Sequence, residues 1–349
     1  MPNQFLTIKD LTAAEGASAA IGIVDNIVNV APELDYVLGR PISGISEKSL
    51  ILTALGSNAA FRKIGGGVQL SAPSFDRKRF NCMPWDCQME VPEDILIEMK
   101  DSQTPNMIFE RFATAAMRQK ALKIGRQFYG GSSIDPNGPM GLIDFLALQR
   151  TQVSSLTGLK INQVIDAGGT TAVGGSTLQV MWFIKMGPAD VCWIFGNGRG
   201  ITMNPWWRQR TEGNDSTANN KTYRTSWVAN TFGYIGLSMA NYHAVGAIIN
   251  IDTVNGTTTA NGLINDAQIA KLFALWPITE KPDLAFCTQL VASALQQQRT
   301  VTNFVSGSGR EWTKGASPLA DFPTTLPNMG NIPLIVTDSI TPSNQIILN

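Results

Sequence analysis

The residue types that most often carry catalysis or bind metal ions are scarce in this chain. Its only histidine, His243, lies in a stretch of strand-like alternation, where a structural imidazole is far more common than a catalytic one. The four cysteines are scattered, and the pair Cys82 and Cys87 would supply only half of a zinc site. Because no second pair and no second histidine exist, we predict no catalytic residue, no cofactor and no metal site.

Carboxylates between residues 86 and 98 are the remaining candidates for acid–base chemistry. We place them on an extended loop, where solvated carboxylates would not form a catalytic acid–base pair. A Ser-His-Asp or Cys-His arrangement could be built only around His243, and the G-x-S-x-G motif of a nucleophile elbow is absent. The carboxylates concerned are Asp86, Glu90, Glu93, Asp94 and Glu98.

Three further motifs could bind phosphate or nucleic acid. Gly65-Gly66-Gly67 lacks the GxxxxGK[ST] pattern, and Gly196-Asn197-Gly198-Arg199-Gly200 lacks the full dinucleotide-binding spacing. Trp206-Trp207-Arg208-Gln209-Arg210 could stack on single-stranded nucleic acid. Since Lys+Arg and Asp+Glu each number 27 and the net charge is zero, we favour a loop anchored by its aromatic residues. A chain this long without a recognisable site favours a structural role.

The composition also favours a protein that assembles. The 349 residues are enough for two or three domains, yet only 15% are charged, while Gly, Asn, Thr and Ser are abundant. This suits strands, turns and large buried contact surfaces. The start shows no basic segment followed by an apolar one, and no apolar run is long enough to cross a membrane, so we expect neither a signal peptide nor a membrane span. The cysteines are expected to be free thiols in a reducing compartment.

Residues 104–128 carry the strongest helical pattern of the chain and are called the spine helix. Thr104 can cap it, Pro105 fits its first turn, and Gly130 and Gly131 end it. At 1.5 Å per residue it would be a rod of about 35 to 40 Å. Its apolar face contains Phe109, Ala113, Met117, Ala121, Ile124 and Phe128, and its opposite side contains Glu110, Arg111, Arg118, Lys120, Lys123 and Arg126.

The residues before the spine helix are predicted to form an arm and then a long loop. Ala17–Val30 has helical spacing. A strand at Ser49–Leu55 leads through the triple glycine to Asp76-Arg77-Lys78-Arg79, which we interpret as the basic tip of a two-stranded loop. Because an isolated hairpin is only marginally stable in water, such a loop would need a partner surface.

From residue 177 to about 305 the pattern is mixed α/β. Runs of β-branched and aromatic residues predict strands, and capping residues before apolar periodicity predict helices. A polar loop, Thr211–Lys221, is predicted to be an exposed tip. The predicted strands are Leu178–Met186, Val191–Phe195, Ile235–Met239, Val245–Ile251, Pro282–Cys287 and Ile332–Asp338, with Ile346–Leu348 pairing to the last, and the predicted helices begin at Asn265 and Thr288.

The order of these parts resembles that of the major capsid proteins of tailed bacteriophages, whose fold is named after phage Hong Kong ninety-seven and is shared with encapsulin shells. An arm, a long loop, a spine helix, an α/β domain and a terminal strand follow one another over nearly the whole chain. Seven local phrases, in the family's order, are similar to those of podophage-type capsid proteins. They are Leu52-Thr53-Ala54-Leu55 leading to Phe61-Arg62, Gly125-Arg126-Gln127-Phe128-Tyr129-Gly130, Gly141-Leu142-Ile143-Asp144, Asp166-Ala167-Gly168-Gly169-Thr170, Gly187-Pro188-Ala189-Asp190-Val191, Gly236-Leu237 leading to Ile248-Ile249-Asn250-Ile251, and Ile332-Pro333-Leu334-Ile335-Val336-Thr337-Asp338.

This resemblance implies an α+β phage capsid fold in four parts. Residues 1–50 would be the N-terminal arm, 51–98 the extended β-hairpin loop, 99–168 with 331–349 the peripheral domain, and 169–330 the mixed α/β axial domain. Some family members join a loop lysine covalently to a neighbour's asparagine, but no motif here identifies a partner, so no such bond is carried over. The intersubunit contacts implied in the loop and near the tryptophans are Phe61, Arg62, Lys63, Arg77, Lys78, Arg79, Trp206 and Trp207.

The function implied is that of a non-enzymatic structural subunit of an icosahedral phage capsid that encloses double-stranded DNA. The implied partners are copies of itself in hexamers and pentamers, a scaffolding protein, a portal, a decoration protein and non-specifically contacted DNA, without a membrane. The subunit would assemble in the host bacterial cytoplasm and reside in the virion. An encapsulin-like cargo shell and a soluble enzyme with an unrecognised site are the alternatives, and the long arm and the extra glycine-rich connection favour a phage over an encapsulin.

Overall fold

The computed structural model describes residues 31–54, 61–67, 70–99, 105–152, 161–169, 178–198, 200–212, 223–252, 262, 264–296 and 332–340. These residues form two compact units, each assembled from segments that are far apart in the sequence. The first unit takes its residues from Met1–Ser46, Asn81–Gly125 and Trp193–Gly236, and the second from Glu47–Phe80, Arg126–Cys192 and Leu237–Asn349.

A six-stranded sheet organises the first unit. Its longest strand, β10 (Tyr223–Met239), has 17 residues, about three times the usual strand length, and pairs antiparallel with β4 (Met83–Pro92). Three shorter strands also pair with β10: β7 (Val191–Phe195), β8 (Thr202–Met203) and β9 (Trp207–Glu212). A fourth strand, β1 (Gly39–Pro41), pairs parallel with β7.

Two short helices, Glu33–Tyr36 and Glu93–Met99, also belong to the first unit. Trp193 of β7 is buried, and its indole Nε1 donates a hydrogen bond of 3.2 Å to the carbonyl of Glu33. The second helix begins with acidic residues, which the positive N-terminal end of the helix dipole favours. The first helix is therefore joined to β7 by a specific hydrogen bond.

The structure confirms the predicted spine helix, which runs from Pro105 to Gly130 and has 26 residues. Its length is about 39 Å at 1.5 Å per residue. On the predicted apolar face Phe109 is half-buried and the other members are buried: Ala113, Met117, Ala121, Ile124 and Phe128. On the opposite side Lys120 is half-buried and the others are exposed: Glu110, Arg111, Arg118, Lys123 and Arg126.

Within the first unit, the spine helix packs on the side of the sheet formed by β4 and β10. Ala113 belongs to a buried cluster with Met89 of β4 and Ala229 of β10. Ile108 lies in a second buried cluster with Val91 of β4. Because alternate residues of a strand point to the same side, a helix lying on β4 covers every second residue of that strand.

The second unit contains a five-stranded sheet in the order β13–β12–β6–β11–β5. The central strand β6 is antiparallel to both β11 and β12, whereas β5 is parallel to β11 and β13 is parallel to β12. Every residue of β6, β11 and β12 is buried, as expected for strands covered on both faces. The strands are β5 (Val164–Asp166), β6 (Gln179–Ile184), β11 (Val245–Ile251), β12 (Leu284–Cys287) and β13 (Leu334–Val336).

Helices cover both faces of this sheet. On one face, the helix Asp266–Ala274 contributes Leu272 to the core cluster that includes Phe183, and a helix over 289–296 contributes Val291. On the other face, the last turn of the spine helix places Tyr129 against the sheet. Its ring centroid lies 6.1 Å from those of Trp182 and Phe286.

The turn after the spine helix depends on two glycines and one carboxylate. Asp144, in the helix Leu142–Gln149, accepts hydrogen bonds from the backbone amides of Ser132 (2.8 Å) and Gly141 (3.2 Å). Gly131 has a φ of +52°, and a Cβ built there would lie 1.9 Å from the Asp144 carboxylate. Only glycine fits this position without strain.

A separate two-stranded sheet is formed by β2 (Ser46–Ala54) and β3 (Ser74–Asn81). The hydroxyl of Thr53 donates to the carbonyl of Ser74 (3.1 Å). The amide of Cys82 donates to the carbonyl of Ile45 (2.8 Å) at the opposite end of the strands. The two strands therefore run antiparallel and form a hairpin.

Several predicted elements recur with small shifts. Val191–Phe195 and Val245–Ile251 are strands with the predicted bounds, and the first strand of the hairpin begins three residues before Ser49. The predicted helix Ala17–Val30 and the predicted strand Ile346–Leu348 lie outside the described residues.

The strand pairing differs from the predicted parts at three places. β4 lies in the predicted loop 51–98 but pairs with β10 in the six-stranded sheet. β5 and β13 lie in the predicted peripheral segments 99–168 and 331–349 but join the five-stranded sheet. Pairing joins residues distant in sequence, which local patterns do not encode. The division into arm, loop, peripheral domain and axial domain of a shell stays a prediction.

Candidate assembly surface

The hairpin exposes apolar side chains on one of its two faces. Leu50 and Leu52 of β2 are 64% and 40% exposed, and Phe75 of β3 is 57% exposed. Ile51, between the two leucines, points to the other face and is 4% exposed. The antiparallel pairing that joins Thr53 to Ser74 brings Leu52 opposite Phe75. The three side chains therefore form one continuous apolar face, which we call the hairpin face.

The predicted basic cluster lies within β3 and not at the tip of the loop, which corrects the sequence interpretation. Strand alternation places Arg77 and Arg79 on the exposed side with Phe75, whereas Lys78 and Asp76 point the other way. There Lys78 forms an ion pair of 3.1 Å with Asp76. The hydrogen bond from Lys78 holds the pKa of Asp76 below its ordinary value. Of this basic cluster, Arg77 and Arg79 remain beside the hairpin face.

The inner face of the hairpin is anchored on the second unit. Asp76 accepts a hydrogen bond of 3.0 Å from the hydroxyl of Tyr242, whose ring is stacked on Phe145 with centroids 6.0 Å apart. Burial, and then the neighbouring Asp76 carboxylate, raise the pKa of Tyr242 above its ordinary value, so the phenol stays a neutral donor. Because these contacts hold one face of the hairpin, the opposite face, with Leu50, Leu52 and Phe75, stays exposed.

Three of the predicted contact residues lie in the turn between the strands. Phe61 and Ile64 are fully exposed, and Gly65 has a φ of +82°. Arg62 Nη1 donates to the carbonyl of Gly66 (2.5 Å), so the guanidinium closes the turn on itself. Phe61 therefore adds apolar surface beyond the hairpin face. Contact of Phe61, Arg62 and Lys63 with a neighbour stays a prediction.

The two predicted contact tryptophans are engaged inside their own subunit. Trp206 stacks on Phe109 of the spine helix with ring centroids 4.9 Å apart. Trp207 begins β9, and its Nε1 donates to the side chain of Gln209 (3.1 Å). Trp207–Glu212 is thus a strand where an exposed loop had been predicted from Thr211, and residues 213–222 lie outside the described residues. A contact of Trp206 or Trp207 with a second subunit stays a prediction.

The single histidine lies in the turn before β11 and not within a strand. Its carbonyl accepts a hydrogen bond of 2.6 Å from Trp276 Nε1, and its Nδ1 lies 3.3 Å from the side-chain amide of Gln163. Burial lowers the pKa of His243, while the charge of Glu280 opposes that shift. The imidazole is a hydrogen-bonding group within the fold of the second unit.

Beside this turn, a polar cluster surrounds Lys185 at the end of β6. Its Nζ lies 2.5 Å from Glu280 and 3.6 Å from Asp190, and the amide of Asn241 donates to both carboxylates. Burial alone would lower the pKa of Lys185, but the hydrogen bond to Glu280 and the charge of Asp190 raise it above its ordinary value. The lysine is therefore a cation that holds loops together and not a nucleophile.

Two of the carboxylates expected on a solvated loop, Glu90 and Glu93, are ion-paired in the first unit, which is a second correction. Glu90 of β4 accepts hydrogen bonds from Ser226 (2.7 Å) and Arg224 (3.1 Å), and Glu93 pairs with Arg208 (2.7 Å). These partners come from β9 and β10, which pair side by side. The charges therefore secure strand and helix positions.

Cys82 and Cys87, which would have supplied half of a zinc site, are both buried. Cys82 donates weakly to the carbonyl of Ile194 (3.6 Å), and Cys87 lies in the cluster beneath the spine helix. Among the residues that the structure describes, no group of three or more His, Cys, Asp or Glu side chains could hold a metal ion. No described helix is long and apolar enough to cross a membrane.

The comparisons with known proteins agree with this architecture. The family model of the major capsid protein GP7 matches residues 37–323. A chain of bacteriophage epsilon15 has a TM-score of 0.59 at 16% identity, over 90% of this chain and 89% of that one. A chain of the bacteriophage JBD30 procapsid covers 95% of this chain and 99% of its own length, with a TM-score of 0.40 at 9% identity, too low to add to the argument. The search of curated proteins gave no match.

A helix-backed sheet unit, a second α/β unit and an anchored hairpin with an outward apolar face define a shell-forming structural protein. The chain belongs to the major capsid protein GP7 family, whose model covers most of its length. It is a subunit of a bacteriophage capsid, resides in the virion and associates with copies of itself. The predicted α+β capsid fold and structural function are confirmed, and family membership does not favour the cargo-shell or enzyme alternatives.

Proposed function

We propose that this subunit forms the hexamers and pentamers of an icosahedral head around double-stranded DNA, and that its hairpin face binds a neighbouring copy. The observation that carries the proposal is the exposure of Leu50, Leu52 and Phe75 on one side of an anchored hairpin. Contiguous apolar surface of this kind is stabilised when another surface covers it. The flanking Arg77 and Arg79 add charge that can set orientation and specificity.

A second copy of the chain is the partner that best explains this hairpin. A two-stranded sheet is marginal by itself, and here only its inner face is anchored, through Asp76 and Tyr242. In a shell every subunit offers the same face, so one modest contact is repeated by symmetry around each capsomer. The exposed Phe61 and Ile64 extend the surface that such a neighbour would cover.

The proposal includes further partners on the strength of family membership. These are a scaffolding protein, a portal and a decoration protein, together with non-specific contact to the packaged DNA. Assembly would take place in the cytoplasm of the bacterial host. With equal numbers of acidic and basic residues, the subunit as a whole has no charge that would attract DNA strongly, so contact with the genome is confined to local basic surfaces.

A shortened hairpin tests the proposal. Replacing residues 54–73 with an Asn-Gly turn keeps the bonds from Thr53 to Ser74 and from Asp76 to Tyr242, because both lie outside the exchanged segment. We expect a folded subunit, shown by a wild-type urea transition, that no longer forms shells in negative-stain microscopy and sedimentation. A control with a Gly-Ser segment of the original length separates length from side-chain identity.

Normal shells from the shortened chain would exclude the loop between the strands from the interface and leave the hairpin face to be tested by substitution of its own residues. If the shortened chain fails to fold, the pair Phe61→Ser and Ile64→Ser supplies a second variant that leaves both strands untouched. Shells at the wild-type protein concentration from that pair would exclude the tip from the interface.

A further inference from the structure

The outward side of the hairpin carries positive charge next to its apolar side chains. The register of the two strands places Lys48 opposite Arg79, two residues along from Arg77. All three are exposed, and together we call them the cationic border. Among the described residues of β2 and β3 no carboxylate lies on this side, because Glu47 and Asp76 point to the inner one. A partner for this surface must therefore combine apolar and acidic side chains.

We propose that the hairpin face and its cationic border bind the helix Glu93–Met99 of a neighbouring copy, an inference that rests on the proposed contact of the hairpin face. Asp94, Ile97 and Glu98 are exposed at spacings of three and four residues, so they share one side of this helix. Ile97 is 67% exposed. The helix contains three acidic residues and no basic one. Its outward side therefore presents an isoleucine between two carboxylates.

Other residues hold this helix in the first unit. Leu96 lies in a buried cluster with Val91 and Ile108. Glu93 pairs with Arg208 of β9 at a distance of 2.7 Å. Because these contacts fix the helix, its exposed side keeps a defined orientation toward a partner.

The spacing of the charges matches on the two surfaces. Asp94 and Glu98 are four residues apart on a helix, which is about 6 Å along its axis. Arg77 and Arg79 are two residues apart on a strand, which is about 7 Å. Each carboxylate can therefore face one guanidinium while Ile97 covers the hairpin face. Burial of the apolar side chains stabilises such a contact, and the charges at its rim set its orientation.

The exposed Ile278 of the second unit fits the hairpin face less well. This side chain is 87% exposed, but the nearby Glu280 is already paired with Lys185. The exposed Lys281 would lie near the cationic border and repel it. Charge complementarity therefore favours the helix Glu93–Met99.

The proposed pairing joins two different surfaces of one kind of subunit. Such a contact is heterologous, and it closes into a ring when it is repeated around an axis. Each subunit then offers its hairpin to one neighbour and its helix to the other. The proposed hexamers and pentamers require a contact of this type.

Charge reversal in the full-length protein tests the pairing. Light scattering and sedimentation measure the lowest protein concentration at which shells form. We expect Arg77→Glu with Arg79→Glu, and separately Asp94→Lys with Glu98→Lys, to raise this concentration about 2- to 30-fold, the effect of losing two exposed ion pairs. Combining all four changes should return it to within about threefold of wild type. An equal mixture of the two double variants should assemble better than either alone, because each supplies the surface that the other requires.

A control and a neutral variant accompany the reversals. Arg111→Glu with Lys271→Glu makes the same charge change as the arginine pair at exposed positions outside both surfaces, and should assemble as wild type does. Urea denaturation followed by circular dichroism verifies that each variant folds. If the lysine substitutions unfold the helix, Asp94→Asn with Glu98→Gln removes the charges without adding others and should still raise the assembly concentration.

Three outcomes would overturn the pairing. In the first, the combined variant assembles as poorly as the double variants although replacing Leu50, Leu52 and Phe75 with threonine impairs assembly; the hairpin face would then bind a copy through another surface. In the second, the combined variant recovers but the mixture does not, which would place the pairing within one chain. In the third, neither the reversals nor the threonine variant changes assembly, which would also refute the proposed contact of the hairpin face itself.

Discussion

Replacing Leu50, Leu52 and Phe75 together with threonine separates assembly from folding. In the isolated subunit these side chains are already 64%, 40% and 57% exposed, so their removal takes little from the folded state. Threonine also keeps a high preference for strands, which preserves the hairpin. If a neighbouring copy covers the hairpin face, the substitution acts on the association of subunits instead.

The structure sets the size of the effect. Full burial of a leucine or phenylalanine side chain contributes about 1.5 to 3 kcal/mol. Scaled by the exposed fractions, this gives about 1 to 2 kcal/mol for Leu50, about 0.6 to 1.2 for Leu52 and about 0.9 to 1.7 for Phe75. The total of about 2.5 to 5 kcal/mol per contact corresponds to an association constant lowered about 60- to 4,000-fold.

Light scattering and sedimentation measure the lowest protein concentration at which shells form, and urea denaturation followed by circular dichroism measures folding. We expect the triple variant to unfold as wild type does but to need a much higher concentration for assembly. Ser49→Ala, on the other side of the same strand, is the control and should assemble normally. An assembly concentration within about threefold of wild type, with folding intact, would refute the hairpin contact.

Three further predictions concern the second unit and one control position. Gly246→Ala should lower the free energy of unfolding by about 1 to 3 kcal/mol, because a Cβ there would lie 2.3 Å from the Trp276 ring. The control is Gly44→Ala, whose Cβ meets no atom within 4 Å and which should be nearly neutral in the same urea titration. Gln149→Leu should be less stable by about 1 to 3 kcal/mol, since its buried amide donates to two backbone carbonyls, and a calorimetric melt unchanged from wild type would contradict this. Burial lowers the pKa of His243 below 6.5, so the unfolded chain binds the proton more readily than the folded one. The free energy of unfolding should therefore decrease as pH falls from 6.5 through the lower pKa of the folded state. His243→Gln should flatten this pH dependence, and an equally steep profile would contradict the prediction.

The spine helix could be predicted from the sequence because its information is local. Buried positions recur at helical spacing from Ala113 to Phe128, and the intervening cations are exposed except for the half-buried Lys120. β7 was predicted with its bounds because it is an uninterrupted apolar run, and β11 because only Asn250 interrupts its otherwise apolar or small residues; all residues of both strands are buried. In these elements, periodicity and burial carry the same information.

β10 shows why other elements could not be predicted. Only its end, Ile235–Met239, was recognised, because the strand contains polar residues and glycines that normally weaken strands. The structure explains Gly236 by close approach of the backbone, since a Cβ there would lie 2.7 Å from the carbonyl of Asn81. Pairing with β4, β8 and β9 stabilises the strand, and β4 is distant in sequence.

The hairpin face was missed for a related reason. An aromatic and basic pattern drew attention to Trp206, but that ring is already stacked on Phe109 of its own subunit. Leu50 and Leu52 gave a weaker pattern, yet they and Phe75 remain exposed after folding. An apolar residue in a sequence indicates that burial of its side chain is favourable, but it does not indicate whether the burying surface belongs to the same chain or to another one.

Side chains buried within the subunit and side chains left exposed after folding should respond differently to substitution. Trp206 and Phe109 stabilise each other inside the subunit, so altering either one lowers the amount of folded protein before assembly begins. Phe75 is 57% exposed in the folded subunit, so altering it takes little from the stability of the subunit. If the hairpin face binds a neighbouring copy as proposed, folding and assembly depend on separate aromatic residues, and substitutions on that face change the strength of the shell contact independently of subunit stability.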